Sequence, residues 1–244
     1  MDVLVNVLVG LGCLLVGYLL GSFPTGVFIG KVFFKKDPRD YYSHNSGGTN
    51  TGRVLGKKIG LLTIIIDSLK AGIALYAAWA IITFTPVNTY LTVNGYFLGV
   101  LYYWLAGFGA ALGHCYSIFL RFQGGKAVSC FVGLCLLSSW GFFIVVAIIF
   151  FGTLKASKYV SLSSIIMSIS VALTAWIFAI LGLTGVFNPA FFTYNAGMGS
   201  VALPVLGLES AIVLTILSAI IVIRHHGNIA RLKEGTESKI TWMK

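Results

Sequence analysis

The feature that most constrains this chain is a series of apolar runs, each about as long as a membrane is thick. A helix that crosses the hydrocarbon core of a bilayer needs roughly 20 mainly apolar residues. In lipid its backbone has no water to bond, so the run must satisfy its own N–H and C=O groups as a helix. Five runs meet this requirement, at about Val3–Gly30, Ile59–Phe84, Tyr96–Leu112, Tyr159–Leu183 and Val205–Ile223.

The composition excludes an ordinary soluble domain. Apolar residues make up 57% of the chain and charged residues only 10%, which leaves too little polar side chain for a solvated surface. The net charge of +10 does not indicate a nucleic-acid partner, because the basic residues stand between the apolar runs. The sequence therefore predicts an all-α integral membrane protein.

One apolar stretch, residues 127–154, is ambiguous because it carries no charge and is too long for one crossing. A single helix over it would be about 42 Å long, more than the ~30 Å core requires. Its middle reads Ser138-Ser139-Trp140-Gly141. This tetrapeptide predicts a turn between two shorter helices.

The basic residues decide between one crossing and two, since Lys and Arg near helix ends collect on the cytoplasmic side. With a turn in this stretch and the N-terminus outside, every connection that carries cations lies inside. Connections 85–94 and 184–204 carry none. We therefore expect about seven transmembrane helices, an outer N-terminus and a cytoplasmic C-terminus. The cations of the inner connections and tail are Lys31, Lys35, Lys36, Arg39, Arg53, Lys57, Lys58, Arg121, Lys126, Lys155, Lys158, Arg224, Arg231, Lys233, Lys239 and Lys244.

Residues 1–244 are expected to form one membrane domain, because no repeat of fixed period and no low-complexity linker divides them.

Small residues four apart let helix backbones approach closely. Glycine pairs of this kind are Gly17 with Gly21, Gly26 with Gly30, and Gly109 with Gly113.

The polar residues are concentrated in three of the inner connections, which predicts a site at the membrane surface. The alternative from another functional class is a transporter or channel for an anionic phosphorylated metabolite. Such a protein would place polar groups or broken helices near the midplane, in matching positions of two halves. That arrangement is not evident here.

The first connection lies between the first two apolar runs, at residues 31–58, and contains the motif SHNSGGTNTGR from Ser43 to Arg53. Its paired glycines, Gly47 and Gly48, let backbone amides approach an anion, and Arg53 adds a permanent charge suited to phosphate. The pattern favours phosphate binding, although a flexible solvated loop has the same composition. Its short polar side chains are Ser43, Asn45, Ser46, Thr49 and Asn50.

The second connection reads GHCYSIFLRFQGGKAVS from Gly113 to Ser129. Gly124 and Gly125 precede Lys126 and the next apolar run, so amides at a helix start and an ammonium group can hold another phosphate. His114 is a candidate acid, base or oxyanion partner. A hydrogen-bonded histidine at a helix end is the equally open alternative.

The third connection reads RHHGNIARLKEGTES from Arg224 to Ser238. His225 and Asn228 are three apart, hence on one face if the helix continues. The alternative is a basic stop signal followed by an amphipathic surface helix.

Two further groups of polar residues have open roles. Ser161, Ser163 and Ser164 either line a phosphate pocket or pack helices. Asp67 and Lys70 either form a pair or take part in catalysis.

Taken in order along the chain, these segments resemble the PlsY family of bacterial acyl-phosphate:glycerol-3-phosphate acyltransferases. The resemblance covers nearly the whole chain. It departs from the family pattern at a few positions: the family usually has glycine at Tyr42, His44 and Ala127, alanine at Gly48 and lysine at Gln123. The matching motifs are GSFPTG at Gly21–Gly26, the SHNSGGTNTGR loop, LGKKIG, DSLK at Asp67–Lys70, GHCYSIFLRFQGGKAVS, KYVSLSS at Lys158–Ser164 and RHHGNIARLKEGTE.

The resemblance implies transfer of a fatty acyl group from acyl phosphate to the 1-hydroxyl of glycerol 3-phosphate, in phospholipid synthesis. The products are 1-acylglycerol 3-phosphate (lysophosphatidic acid) and phosphate. It implies no direct use of acyl-carrier protein or CoA, no metal and no other cofactor. The implied place is the cytoplasmic face of the bacterial plasma membrane, with acyl phosphate, glycerol 3-phosphate and membrane lipids as partners.

The resemblance also implies that all three connections converge on one site. Donors of the first would stabilise charge on the acyl carbonyl, and His225 with Asn228 would orient the attacking hydroxyl. Either His225 or a substrate phosphate oxygen would accept its proton. The implied residues are, for catalysis, Ser43, Arg53, His225 and Asn228, and for binding, Asn45, Gly47, Thr49, Asn50, His114, Gly124, Gly125, Lys126 and Ser163.

The enzymatic competitor is a phosphotransferase of the CDP-alcohol type, which would need repeated aspartates to hold a metal near one helix. The chain has no such constellation, since its aspartates are Asp2, Asp37, Asp40 and Asp67.

Overall fold

The structure, a computed structural model, describes residues 2–93, 96–186, 188–193 and 206–240. These residues are almost entirely helical, as predicted. They fall into two compact units, Met1–Leu134 and Cys135–Lys244. The organisation as one domain stays a prediction.

The described residues form the following elements in chain order. The helices are α1 (Asp2–Ser22), α2 (Thr25–Phe34), α3 (Gly48–Leu55), α4 (Lys57–Phe84), α5 (Gly99–Cys115), α6 (Val128–Ser138), α7 (Trp140–Ser157), α8 (Val160–Leu183), α9 (Leu208–Arg224) and α10 (His226–Lys233). A two-residue antiparallel pair, β1 (Thr92–Val93) with β2 (Tyr96–Phe97), precedes α5. Because α5 continues to Cys115, past the predicted end at Leu112, His114 lies inside a helix.

Four segments of the described residues are long and apolar enough to cross a membrane. They are Val3–Phe34, in which α1 and α2 count as one, and the helices α4, α7 and α8. The pair of α9 and α10, bent by 55°, would make a fifth. Helices α5 and α6 are shorter, with 17 and 11 residues. The count of seven and the orientation of the termini therefore stay predictions.

The structure confirms the break predicted inside residues 127–154. Helix α6 ends at Ser138 and α7 begins at Trp140, with Ser139 between them in an extended conformation. The Ser139 hydroxyl caps α7 by accepting a hydrogen bond from the Phe142 N–H at 3.2 Å. A serine oxygen at this position satisfies a donor that the helix start leaves unpaired.

In the first unit, helices α1 and α5 pack with their backbones in contact, as the glycine spacing predicts. A Cβ atom added to Gly17 or Gly21 of α1 would collide with a backbone carbonyl of α5. One added to Gly109 or Gly113 of α5 would collide with a carbonyl of α1. The two pairs therefore serve a single helix interface.

The third glycine pair, in α2, fulfils the predicted packing role at only one of its two positions. Gly26 lies against the backbone of Ser46 and the side chain of Thr51, and Gly30 lies against the carbonyl of Lys36. Gly26 therefore makes the predicted close helix contact, here with α3, whereas Gly30 makes room for the first connection.

In the second unit, α8 packs against α7 and α9. A buried hydrogen bond of 3.2 Å joins the hydroxyls of Ser168 and Ser218 across the interface of α8 and α9. The described part of the predicted outer connection 184–204 includes a short 3-10 helix, Pro189–Phe192. Residues 194–205, including the predicted start of the last helix at Val205, lie outside the described residues.

The packing of α1 on α5 can be tested with a matched pair of glycine variants. Gly17→Ala should destabilise the protein by about 1–3 kcal/mol, because the new methyl group pushes α1 away from α5. Gly12→Ala, on the same helix, meets no atom within 4 Å and should be neutral or slightly stabilising. Thermal unfolding of both variants in one detergent measures the difference. Equal midpoints would show that Gly17 does not lie at a close interface.

Candidate active site

The candidate site of the first unit begins at a break between α1 and α2. Pro24 interrupts the chain's helical course because it has no N–H to donate and its ring crowds the preceding turn. Helix α1 therefore ends at Ser22 and α2 begins at Thr25. The carbonyl of Phe23, at the break, accepts a hydrogen bond of 3.0 Å from the ammonium group of Lys70.

A buried carboxylate, Asp67 of α4, lies next to this break with only 1% of its surface exposed. Its Oδ1 accepts a hydrogen bond from Thr25 Oγ1 and pairs with Lys70 Nζ, both at 2.8 Å. Nδ1 of His114 lies 3.7 Å from the same oxygen. A buried charge of this kind is stable only when it is paired and hydrogen-bonded. Asp67 meets both conditions.

The first connection is held in shape by the buried amide of Asn50. Its Nδ2 donates to the carbonyls of Pro38 at 2.7 Å, Asn45 at 2.9 Å and Tyr41 at 3.2 Å. Its Oδ1 accepts from the Ser43 N–H at 3.2 Å. All of these bonds stay within the connection, so they favour a structural role for Asn50. The predicted contact with substrate stays a prediction.

The base of this connection is fixed by Asp37, which pairs with Lys31 at 3.2 Å and with Arg39 at 2.7 Å. Burial raises the pKa of Asp37, but the hydrogen bonds from Arg39 and Lys31 outweigh it and lower the pKa to about 2. Asp37 therefore remains charged throughout the physiological range. Its two partners hold the end of α2 and the start of the connection together.

The start of α3 presents donors that suit an anion. Oδ1 of Asn45 accepts from the Gly47 N–H at 2.9 Å, which shapes the turn before the helix. Helix α3 starts at Gly48, and its first N–H groups have no partner within the helix and carry partial positive charge. Thr49 and Arg53 are exposed and four residues apart, hence on one face. Among the described residues, Arg53 makes no ion pair.

The second connection folds back onto the end of α5. The N–H of Gly125 donates to the His114 carbonyl at 2.9 Å, and the N–H of Gly124 donates to the Cys115 carbonyl at 3.0 Å. Glycine is required at both positions, since a Cβ at Gly124 would collide with the His114 carbonyl and one at Gly125 with the His114 ring. The half-buried Lys126 follows directly.

A small polar pocket lies where the two connections meet. Its lining includes Ser46 of the first connection, His114 and Ser117 of the second, and Asp67. It encloses about 10 Å³, roughly the room for one water molecule. The fully buried Ser22 hydroxyl also lines it and has no hydrogen-bond partner among the described residues. The pocket therefore joins both connections to the break between α1 and α2.

The third connection lies in the second unit and is organised by Glu237. Its carboxylate accepts hydrogen bonds from Ser161 Oγ, Asn228 Nδ2 and Arg231 Nε, each at 2.7 Å. Burial raises the pKa of Glu237, but these hydrogen bonds outweigh it and leave the pKa below its usual range. The charged carboxylate therefore ties the tail to α10, and through Ser161 to the start of α8.

Two predicted residues of this unit have well-defined local partners. Nδ1 of the buried His225 lies 2.7 Å from the Ile221 carbonyl. A carbonyl can only accept, so Nδ1 carries a proton, and whenever the ring is neutral Nε2 is the acceptor nitrogen. The hydroxyl of Ser163 donates to the Tyr159 carbonyl at 2.8 Å, one turn earlier in α8.

The structure thus brings the predicted residues of the first two connections into one unit. His225, Asn228 and Ser163 lie in the second unit, and their convergence with the first set stays a prediction. Sequence reasoning did not assign Asp67, Thr25 or Ser22 to the site. The charge of Asp67 inside an apolar run was the available signal, while the two hydroxyls gave none of their own.

Comparison with known proteins decides the family. A family model described as glycerol-3-phosphate acyltransferase matches residues 11–235. The chain belongs to the glycerol-3-phosphate acyltransferase family. Curated relatives with this name include a protein of Staphylococcus saprophyticus, 37% identical over 232 residues, and one of Staphylococcus aureus strain JH9, 37% identical over 235 residues. In both comparisons the match covers 94% of this chain and 97% of the relative.

Two solved structures of the integral membrane glycerol 3-phosphate acyltransferase PlsY share the fold. The glycerol 3-phosphate form has a TM-score of 0.73 and 28% identity, covering 95% of this chain and 96% of the other. The lysophosphatidic acid form has a TM-score of 0.70 and 27% identity, covering 95% of each chain. The predicted resemblance to the PlsY family is confirmed. With its apolar helices, the chain is a multi-pass membrane protein.

Backbone conformation is informative at three positions where the resemblance to the PlsY family implies glycine. Tyr42, His44 and Ala127 have φ angles of 51°, 52° and 60°, in the left-handed region that favours glycine. His44 gains a local contact, because its Nδ1 lies 2.8 Å from the Arg39 carbonyl. The backbone geometry at these positions therefore favours glycine, in agreement with what the resemblance implies.

Neighbouring tyrosines of the first connection provide a test of this account. Tyr42→Gly should stabilise the protein by about 1 kcal/mol, because glycine adopts the left-handed conformation without steric cost. Tyr41→Gly is the matched control: Tyr41 is also exposed, but its φ of −130° is ordinary extended backbone. It should destabilise, because glycine adds freedom to the unfolded chain. Thermal unfolding midpoints that shift in the same direction for both variants would contradict the assignment.

Proposed function

We propose that this member of the glycerol-3-phosphate acyltransferase family transfers a fatty acyl group from acyl phosphate to the 1-hydroxyl of glycerol 3-phosphate. Family membership supports the transfer and its acceptor, and the related PlsY structures are in glycerol 3-phosphate and lysophosphatidic acid forms. The observation that carries the proposal is the meeting of two glycine-rich connections at one polar pocket of the first unit. Two phosphate-bearing substrates need two such sets of donors.

The proposed reaction is a direct acyl transfer. The 1-hydroxyl oxygen of glycerol 3-phosphate attacks the acyl carbonyl, and a new ester C–O bond forms. The bond between the acyl carbon and the phosphate oxygen breaks, so inorganic phosphate leaves with the bonding electron pair. The hydroxyl proton passes to a base. Since acyl phosphate is already activated, neither a thioester donor nor a cofactor enters the scheme.

Within the first unit, the start of α3 and Arg53 would bind the acyl phosphate. The N–H groups of Gly48 and Thr49, with the guanidinium group of Arg53, can donate to phosphate oxygens and stabilise charge on the carbonyl oxygen. Ser43 and Asn45 would complete this set. The segment Gly124–Lys126, with His114, would hold the phosphate of glycerol 3-phosphate, because Lys126 supplies charge next to the start of α6.

His225 would accept the proton of the attacking hydroxyl. The contact of its Nδ1 with the Ile221 carbonyl leaves Nε2 as the acceptor nitrogen, which is the state a general base requires. Asn228, bonded to Glu237, would orient the same hydroxyl. The alternative acceptor of the proton is an oxygen of the substrate phosphate. Retained activity in His225→Gln would favour that alternative.

A donor assay tests the proposed reaction. Purified protein in detergent should release phosphate only when acyl phosphate and glycerol 3-phosphate are both present, because phosphate leaves in the transfer itself. Parallel reactions with acyl-CoA and acyl-carrier protein thioesters should form no lysophosphatidic acid. Product formation from either thioester at a comparable rate would show that acyl phosphate is not the dedicated donor.

The assay has a matched pair of charge variants. Arg53→Ala should lower kcat/KM by about 10²–10³-fold, the usual effect of removing a transition-state donor. Lys155→Ala removes another exposed cation, at the end of α7, and should have no effect. If both variants lower turnover alike, Arg53 contributes only to the general positive field.

The proposal also places the protein in the bacterial plasma membrane with seven helices, an outer N-terminus and the site on the cytoplasmic face. Support comes from the bacterial relatives and from the cations confined to connections of one predicted side.

Cysteine labelling in intact cells tests this topology. The positions are Lys57, Thr89 and Lys233, all exposed. Thr89→Cys should react with a membrane-impermeant maleimide from outside, because it lies in a connection without cations. Lys57→Cys and Lys233→Cys should react only after permeabilisation. Labelling of Lys57→Cys and Lys233→Cys from opposite sides would overturn the arrangement, and the unmodified chain provides the background.

A further inference from the structure

Four helices of the first unit meet at a single residue, Asp67. Its carboxylate oxygen Oδ1 contacts Thr25 of α2, Lys70 of α4 and His114 of α5. Its backbone carbonyl lies 3.3 Å from the thiol of Cys130, in the first turn of α6. The two helices that flank the second connection, α5 and α6, are therefore both tied to Asp67.

The second connection takes its geometry from His114. The backbone carbonyl of His114 holds the Gly125 N–H at 2.9 Å, and its ring occupies the space beside Gly125 that a side chain would need. Lys126 follows without an intervening residue. A change in the position of the His114 ring therefore moves the amides and the ammonium group that hold phosphate in the proposed function.

We propose that Asp67 is a positioning residue for the acceptor substrate. Its carboxylate fixes Lys70 at the helix break and His114 at the end of α5, and through His114 it sets the geometry of the Gly124–Lys126 segment. The proposal rests on the proposed role of that segment in holding glycerol 3-phosphate. Asp67 itself touches no substrate in this scheme.

The packing of the unit does not depend on this carboxylate alone. Helices α1 and α5 are in direct backbone contact through glycines. The contacts of Asp67 lie instead around the polar pocket, which Thr25, His114 and Asp67 all line. Loss of its charge should therefore disturb the pocket and the second connection more than the helix packing.

The test compares Asp67→Asn with a buried polar residue of the same unit. Asn6 of α1 is 6% exposed and joins Tyr102 and the Tyr90 carbonyl, with both hydrogen bonds at 2.9 Å. It lies sixteen residues before Ser22, about 24 Å along the helix. Asn6→Ala therefore breaks a buried polar network remote from the pocket.

In assays of phosphate release, Asp67→Asn should raise the KM for glycerol 3-phosphate and leave the KM for acyl phosphate unchanged. The expected fall in kcat/KM for the acceptor is about 100-fold, as for a misplaced binding group. Asn6→Ala should lower the unfolding midpoint and change neither KM. An Asp67→Asn enzyme with unchanged KM values, or with both raised equally, would overturn the proposal.

A milder variant covers the case in which Asp67→Asn does not fold. Thr25→Val keeps the shape of the side chain and the pair of Asp67 with Lys70, and removes only the 2.8 Å hydrogen bond to Oδ1. It should raise the KM for glycerol 3-phosphate alone, by less than Asp67→Asn. Unchanged kinetics would contradict the inference. An unmodified enzyme that fails to release phosphate would instead contradict the proposed function.

Discussion

The first unit depends on the neutralisation of one buried carboxylate. A charge within an apolar helix is costly in lipid unless it is paired, and Asp67 is paired by Lys70 and Thr25. Thr25 is available because Pro24 ends the preceding helical course and starts α2 at that point. The ammonium group of Lys70 also bonds the Phe23 carbonyl at the break. The same interactions that make the charge tolerable therefore build the wall of the polar pocket.

Packing and chemistry are assigned to different parts of the chain. Helices α1 and α5 approach through glycines, whereas many of the polar side chains lie in the connections. Those side chains mostly bond backbone groups nearby, as Asn50 does in the first connection and Ser139 at the start of α7. Such bonds fix the direction of backbone amides. Amides with a fixed direction are what an anion site at a helix start requires.

The sequence was sufficient for features set by short-range rules. Apolar length predicted the helices, and the Ser-Ser-Trp-Gly segment predicted the break at Ser139. Contacts between distant residues were not predictable, because a short polar side chain gives no sign of its partner. The predicted contact of Asn50 with substrate stays a prediction, and the sequence did not indicate that its amide bonds the carbonyls of Pro38, Tyr41 and Asn45. The hydrogen bond between Ser161 and Glu237 joins residues 76 apart in sequence.

Charge pairing also explains how a basic protein can offer cations to the two phosphate substrates of the proposed reaction. The chain has 17 Lys and Arg residues against seven Asp and Glu. Three of the acids are already engaged by basic partners: Asp37 by Arg39, Asp67 by Lys70, and Glu237 by Arg231. Arg53 stands outside these pairs, exposed on α3. An arginine without a protein carboxylate pays no cost of breaking an ion pair when phosphate arrives. Its full charge is then available to an anionic substrate.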